Sequence, residues 1–474
     1  MDGPQTENIP ENSGNKLTLA TKINYGIGTV GKSLSNGLSG RLQYYLLAVL
    51  RIDKRLLAPM FVVGRIWDGV NDMIMGAVID NTRTKWGKFR PWIAVGAITN
   101  ALMMVGIFGG PGPLLHRPMA LFAYITVMFL LCDATYTMVD VGYWAMIPAL
   151  SSNPNERDQI AMVPRIFAGV FGLATAFNMQ IIGWLGNGDE VIGFRWFAAI
   201  SSVIYVTASL YSAAVVKEPY VALPSEKKEK IQIWETIKVL LRNRQALVIL
   251  VLMLLFNLAA NLTNGTAIYY FRFVVGSDTQ LGIYSILMGV APGIGMVLFP
   301  MLTARVNRKK VYTAAYILPC IGYAGMAAAN IILPGQFIPL AAATLVGFVG
   351  YGFMSIMQSV MLADAVDYGE YQNGTRNEGV IFCTLTMLSK LAWAANDVVT
   401  LAVFSIVKFG GEDALVATPA AVKGIAVLMY ILPPIALAFS FAVYRLLYKL
   451  TPERMAEIRE TLEARKAEVV GAES

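Results

Sequence analysis

The sequence predicts an all-α membrane protein, twelve transmembrane helices in two six-helix bundles. Three observations carry this. Apolar stretches of about 20 residues, enough to cross a bilayer, recur from end to end of the 474 residues. The composition is 56% hydrophobic and 15% charged with mean hydropathy +0.55, whereas soluble domains are about 25% charged. The longest polar connection, Lys217 to Arg244, falls near the middle and divides the spans six and six.

Taken in order, the spans bounded by charged or Gly/Pro loops are 20–50, 55–80, 92–110, 118–150, 161–186, 194–216, 245–275, 281–304, 311–332, 336–364, 379–408 and 422–447. The expected domains are an N-terminal bundle (1–216), a cytoplasmic middle loop (217–244), a C-terminal bundle (245–450) and a cytoplasmic tail (451–474). Residues 1–16 are polar and lack an apolar core, so no cleavable signal peptide is expected. The run Glu226-Lys227-Lys228-Glu229-Lys230 reads as a solvated face before a helical stretch with Trp234 and Leu240. In the tail, Thr451-Pro452 opens a short amphipathic helix, expected to be solvated.

Cations set the orientation. Arg83, Lys85, Lys88 and Arg90 follow span 2, Lys217 to Arg244 carries seven, Arg305 to Lys310 follows span 8, and Lys449 opens a basic tail. These loops all fall on one side, expected to be cytoplasmic together with both termini, which suits a bacterial inner membrane. Arg51, Lys54 and Arg55 after span 1 are the exception, on the opposite side.

Composition also excludes functions. The net charge of +7 comes from loop cations and reads as topology, not as nucleic-acid binding. One histidine, His116 in a loop, leaves no basis for histidine catalysis or a histidine metal site. Cys132, Cys320 and Cys383 lie scattered in apolar spans as packing residues. No nucleotide loop and no nucleophile–base spacing is present, so an enzyme is not expected. No cofactor is expected beyond a coupling ion.

The informative residues are ionisable groups inside the spans, which are costly in lipid and mark ion or substrate pathways. Asp68 and Asp72 of span 2 lie four apart, about 40° apart on one helix face, with Asn71 on the same side. Span 4 holds Asp133 and Asp140. Around Asp140 stand Tyr136, Thr137 and Trp144, so a carboxylate, a phenol, a hydroxyl and an indole share a face. Asp68, Asp72, Asn71 and Thr137 supply the hard oxygens that Na⁺ prefers, and a carboxylate shielded from water can instead carry H⁺. Asp140 can accept sugar hydroxyls while Trp144 stacks on the ring. The counter-charges are Lys390 in span 11 with Thr386 one turn before it, Arg165 at the start of span 5 and Lys32 in span 1. Lys390 lies too deep to snorkel easily and is expected to neutralise an acid of span 2 or 4. Arg65, Arg272 and Asp397 have no assigned partner, and Arg272 is expected near the interface. Asp80, Arg83 and Arg90 suit a cytoplasmic latch, with Asp364 and Asp367 as counterparts in the second half.

The halves echo one another: Asp140-Val-Gly-Tyr143 then Asn155-Glu156-Arg157, against Asp364-Ala-Val-Asp367-Tyr368 then Arg376-Asn377-Glu378. Two six-helix repeats around a midplane site are the major-facilitator pattern. Tyr25-Gly26-Ile-Gly28 with Gly31-Lys32, Arg65-Ile-Trp-Asp68-Gly-Val-Asn71-Asp72 through Arg90-Pro91-Trp92, Tyr136 through Trp144, Pro164-Arg165 and Ala363 through Glu370 resemble the glycoside–pentoside–hexuronide:cation symporters (melibiose permease-like) over most of the chain. The resemblance implies uptake of a sugar or sugar derivative driven by Na⁺ or H⁺. It implies a cation site at Asp68, Asn71, Asp72 and Thr137, a sugar site at Lys32, Tyr136, Asp140, Trp144 and Arg165, and a link between them at Lys390 and Thr386. Its expected partners are a small sugar, a monovalent cation and the lipid bilayer, with the protein a monomer.

Two positions depart from the galactoside-binding pattern. Ser33 stands where an acid follows the lysine, and Ser355 stands where a tryptophan is expected. With that acid gone the cavity should be less negative. This leaves open an anionic hexuronide or sulfo-sugar beside a neutral glycoside or pentoside. The other readings are a lipid or other solute carrier of the same fold and a non-transporting sensor or scaffold. A scaffold has no use for Asp68, Asp72 and Lys390 in lipid.

Overall fold

The computed structural model describes residues 18–473 except 110–111, 115, 152–153, 219–242, 307, 334, 374–377, 412 and 414. The Glu226–Lys230 run, Trp234, Leu240 and the Arg376-Asn377 pair therefore lie outside the described residues.

Among the described residues twelve long helical segments follow one another: α1 (Leu19–Ser39, continued by a π-helical turn, Tyr45–Val49), α2 (Lys54–Asn81), α3 (Arg90–Phe108), α4 (Pro118–Ala145), α5 (Pro154–Ala174, continued by Asn178–Leu185) and α6 (Glu190–Val215). Then come α7 (Arg244–Val275), α8 (Asp278–Thr303), α9 (Arg308–Ile332), α10 (Phe337–Asn373), α11 (Glu378–Ile406) and α12 (Pro419–Leu447). The tail is α13 (Pro452–Glu473). Among the described residues there is no strand, only an isolated bridge between Thr84 and Gly87. Ten of these segments are long and apolar enough to cross a membrane by composition alone. The other two, α1 and α2, fall short because they carry the charges and amides of the site.

Packing repeats between the halves. α1 packs on α5 and α6, α3 on α4, and α2 on α4; likewise α7 packs on α11 and α12, α9 on α10, and α8 on α10. The halves meet along two seams, α2 against α11 and α5 against α8, which the same repeat relates to each other. Bilayer-spanning helices gain little from burying apolar surface against one another, so close approach falls to small residues. A Cβ on Gly64 would lie 2.2 Å from a ring carbon of Phe129, so only glycine lets α2 press against α4 there. Large apolar residues such as Trp184, Ile338 and Ile406, about 80% exposed in the isolated chain, form a lipid-facing surface.

Most expected span boundaries match within a few residues. The largest difference is α10, which runs to Asn373, nine residues beyond the expected end at 364. Its extension is polar, and the apolar criterion stopped where the bilayer stops.

At the end bearing the basic loops, contacts form within each half. Asp80 pairs with Lys88 at 2.8 Å, and Arg83 donates to the Asp80 and Thr82 carbonyls. Arg90 donates to the Ala213 carbonyl and, at 2.9 Å, to that of Ala214, capping the C-terminal end of α6. Glu218 accepts from the backbone N–H groups of Lys88 (2.8 Å), Phe89 and Arg90 (both 3.1 Å). This carboxylate thus sits on the positive end of α3. Gly87, at φ +113°, makes the turn, and a Cβ there would lie 2.6 Å from Glu218 Oε1. In the second half, Arg459 of α13 pairs with Asp364 at 2.9 Å and Asp367 at 3.3 Å. Leu450, Met455, Ile458 and Leu462 pack against Tyr368 and Tyr371. The tail expected to be solvated is thus docked on α10.

Replacing Glu218 by Ala removes the acceptor of three helix-terminal N–H groups, and a lost helix cap costs about 1 kcal/mol. The variant is expected to unfold at lower temperature in detergent, with Glu218→Gln falling in between, in a thermal-unfolding measurement.

Candidate functional site

Between the halves lies a cavity of about 280 Å³ lined by α1, α2, α3, α4 and α11. Ligand pockets run from roughly 300 Å³ upward, so this one suits a small polar molecule.

On one wall, the helical period of α2 stacks Asp68 and Asp72 toward α11. The Lys390 ammonium lies between them, 2.9 Å from Asp68 Oδ1 and 2.5 Å from Asp72 Oδ2. The sequence expectation of one neutralised acid becomes a bridge across two, and it joins the halves. Thr137 Oγ1 donates to Asp72 Oδ1 at 3.3 Å. Asn71 is buried, and its amide nitrogen donates to the Ala134 carbonyl at 3.4 Å. Trp67 Nε1 donates to the Leu130 carbonyl one turn earlier. These bonds set the α2–α4 register. Asp68, Asp72 and Thr137 thus line the cavity around the Lys390 ammonium, while Asn71 lies buried on the α2–α4 contact beside them.

The second group surrounds Lys32. Lys32 is 5% exposed, and its ammonium bonds to Asp140. It also lies over three rings: Tyr143 at 5.0 Å, Trp144 at 5.4 Å and Tyr136 at 5.9 Å. Asp140 and Tyr136 line the cavity, while Trp144 is 36% exposed beside it. Cation–π contacts with three rings hold the lysine beside its carboxylate. Arg165 does not join this group. It is exposed and does not line the cavity, although the preceding Pro164 touches α1 by accepting from Thr29. The Thr386 side chain lies outside the described ones. Ser33 bonds back to the Thr29 carbonyl and reaches that of Ala168 on α5, and Ser355 bonds to that of Tyr351, so both hydroxyls are engaged by backbone carbonyls.

Sequence reasoning missed three features. Arg65, Asp133 and Asp397 also line the cavity, so its wall carries more carboxylates than cations even with Ser33 in place of an acid. The end opposite the basic loops is tied across the halves by Lys54, 7% exposed, which meets Asp413 at 2.6 Å and the carbonyls of Phe404, Phe409 and Gly410. Hydrogen bonding to that ammonium holds the Asp413 carboxyl below its usual range. Arg272, in the π-helical turn Tyr270–Val275 that ends α7, pairs with Glu190 at 2.7 Å and Asp278 at 2.9 Å and donates to the Tyr44 hydroxyl. It is a tie between the halves. The one signal in the sequence was Lys54 itself, a cation on the wrong side for topology.

The chain is 28% identical over 427 residues to the lactose permease of Lactobacillus helveticus, covering 87% of this chain and 65% of that protein, so it spans just under two thirds of that relative's length. It is 26% identical to the isoprimeverose transporter of Lactiplantibacillus pentosus, covering 94% and 92% of the two chains. The crystal structure of the nucleoside transporter NupG superposes with a TM-score of 0.63 at 12% identity, covering 91% of this chain and 99% of that one. At that identity it speaks for the fold alone. The model of the family described as MFS/sugar transport protein matches residues 24–452, and with nearly the whole chain covered and a charged site between two six-helix halves, the protein is a member of that transporter family.

Proposed function

We propose that the protein is a secondary active symporter that takes up a neutral glycoside or pentoside together with a monovalent cation. The observation that carries this reading is the Lys390 ammonium held between Asp68 and Asp72 across the α2–α11 seam. A cation arriving at Asp72, with oxygens from Asp68, Asn71 and Thr137, competes with that ammonium. Displacing it cuts the charged tie between the halves, and this links ion binding to conformation. The magnitudes are compatible. Two unit charges 4 Å apart interact by about 4 kcal/mol at an effective dielectric of 20, and reversing a 1:99 equilibrium takes about 5.5 kcal/mol. The sugar's place is beside Asp140, Tyr136 and Trp144, with Lys32 positioning the carboxylate.

Positive loops on the inside put the basic end, both termini and the gating groups Asp80, Arg83, Arg90, Asp364 and Asp367 in the cytoplasm of a bacterial inner membrane. The ties between halves at Lys54 and Arg272 then seal the outer face, and the state is cytoplasm-facing. The six-helix halves act as rigid units about the middle loop, within a monomer. The excess of wall carboxylates supports a neutral cargo over a uronide or sulfo-sugar. The oxygen donors support Na⁺ as the coupling ion, with H⁺ as the alternative.

Reconstituted in liposomes, the protein is expected to accumulate a glycoside from a panel of glycosides and pentosides under an imposed Na⁺ or H⁺ gradient. Asp72→Asn is expected to lower gradient-driven accumulation at least tenfold. Full accumulation by this variant overturns the reading, and gradient-independent lipid transfer favours the lipid carrier. In the same liposomes, a hexuronide is expected to compete more weakly than its uncharged parent sugar. Equal or stronger competition by the acid overturns the neutral assignment.

A further inference from the structure

At the end opposite the basic loops, buried charges are balanced. Lys54 is answered by Asp413. Arg272 is answered by Glu190 and Asp278, and Arg41 stands in the field of that same Asp278, two cations against two acids. The central cavity is different. Among the described residues, Asp68, Asp72, Asp133, Asp140 and Asp397 line it, and the cations that meet them are Arg65 and Lys390 at the wall and Lys32 behind Asp140. Lys32 answers Asp140, and Lys390 answers Asp68 and Asp72 together. Arg65 is the cation whose field reaches both Asp133 and Asp397, and it makes no ion pair among the described residues. Five carboxylates face three cations, which leaves two negative charges uncompensated near the middle of the membrane, where such charge is costly.

One of the two belongs to the Asp72 position. The other has a place of its own. Asp133 precedes Thr137 by one turn on α4, as Asp68 precedes Asp72 on α2, so it stands one turn farther from the basic end on the same cavity face. Its Oδ2 is buried without a partner. Asn100 of α3, 0% exposed, lines the same cavity; its amide nitrogen donates to the carbonyl of the adjacent Cys132, and its Oδ1 is buried without a partner. Asp397, 6% exposed, lines the same cavity and accepts from Asn396. Buried acceptors without donors call for a donor or a positive charge. A single uncompensated negative charge is matched by one monovalent cation.

We infer a second monovalent-cation position at Asp133, built with Asn100 Oδ1 and Asp397 and filled by H⁺ or Na⁺, so that two positive charges accompany each sugar. The inference rests on the symport reading. Two charges would make sugar accumulation follow the square of the ion gradient and respond more steeply to membrane potential.

The test needs no sugar. Purified full-length protein is dialysed against ²²Na⁺ at pH 6 and pH 8.5, and bound protons are counted by potentiometric titration of wild type against variants. Two charges per wild-type protein are expected, as two Na⁺ or as one Na⁺ and one proton. Asp133→Asn is expected to keep one and lose the other. Asp397→Asn, which leaves Asp133 in place, is expected to weaken the second uptake at least tenfold while keeping the first, which also guards against misfolding of the Asp133 variant. One charge in wild type, or two in both variants, overturns the inference while leaving the symport reading standing. No cation uptake in wild type overturns the symport reading itself. A second charge seen as Na⁺ at both pH values assigns a sodium site, and one seen as a titrating proton assigns a proton site.

Discussion

The ammonium of Lys390, lodged between two carboxylates of the opposite half, organises the rest of the molecule. It fixes the α2–α11 seam, and around that seam the cavity forms. Buried ion pairs of this kind are weak contributors to stability, because desolvation offsets much of the Coulomb attraction, yet removing one partner is severe. A group with little net stabilising value and a high cost of disruption suits a switch better than a brace. Gly64 serves the same arrangement by letting α2 close on α4, which brings Thr137 within reach of Asp72.

The two ends of the bundle solve different problems. At the basic end, charged groups act within their own half, with Glu218 on the start of α3, Arg90 on the end of α6 and Arg459 pinning α13 to α10. They keep each half rigid and leave it free to move as a body. At the opposite end the charges reach across. Lys54 gathers the carbonyls that close α11, and Arg272 gathers α6, α8 and Tyr44. Rocking of one half on the other must break the second set and can spare the first.

Much of the fold and part of the site were legible from local spacing. Apolar length marked the spans, and four-residue spacing put Asp68 and Asp72 on one face. The depth of Lys390 demanded a nearby acid. What escaped was non-local. Nothing near Asp133 or Asp397 in the chain says that they line one cavity with Arg65, and Arg165, adjacent to a residue that touches α1, still faces away. The docking of α13 combined a readable apolar stripe, Met455, Ile458 and Leu462, with a partner that a hydropathy boundary cuts off, the polar extension of α10 bearing Tyr368 and Tyr371. Glu218 carried no signal, because a carboxylate before a charged linker looks like any other until the helix start it caps is known.

Lys54 has a consequence for how the protein is made. Its carboxylate partner lies 359 residues later in the chain, so in the proposed orientation the ribosome delivers this lysine to the far side of the membrane long before anything there can neutralise it. The translocation machinery must carry a bare ammonium outward against the usual preference of positive loops, and the cluster Arg83, Lys85, Lys88 and Arg90, emerging some thirty residues behind it, is what holds the first hairpin in the correct sense while the lysine waits for α11 to be synthesised.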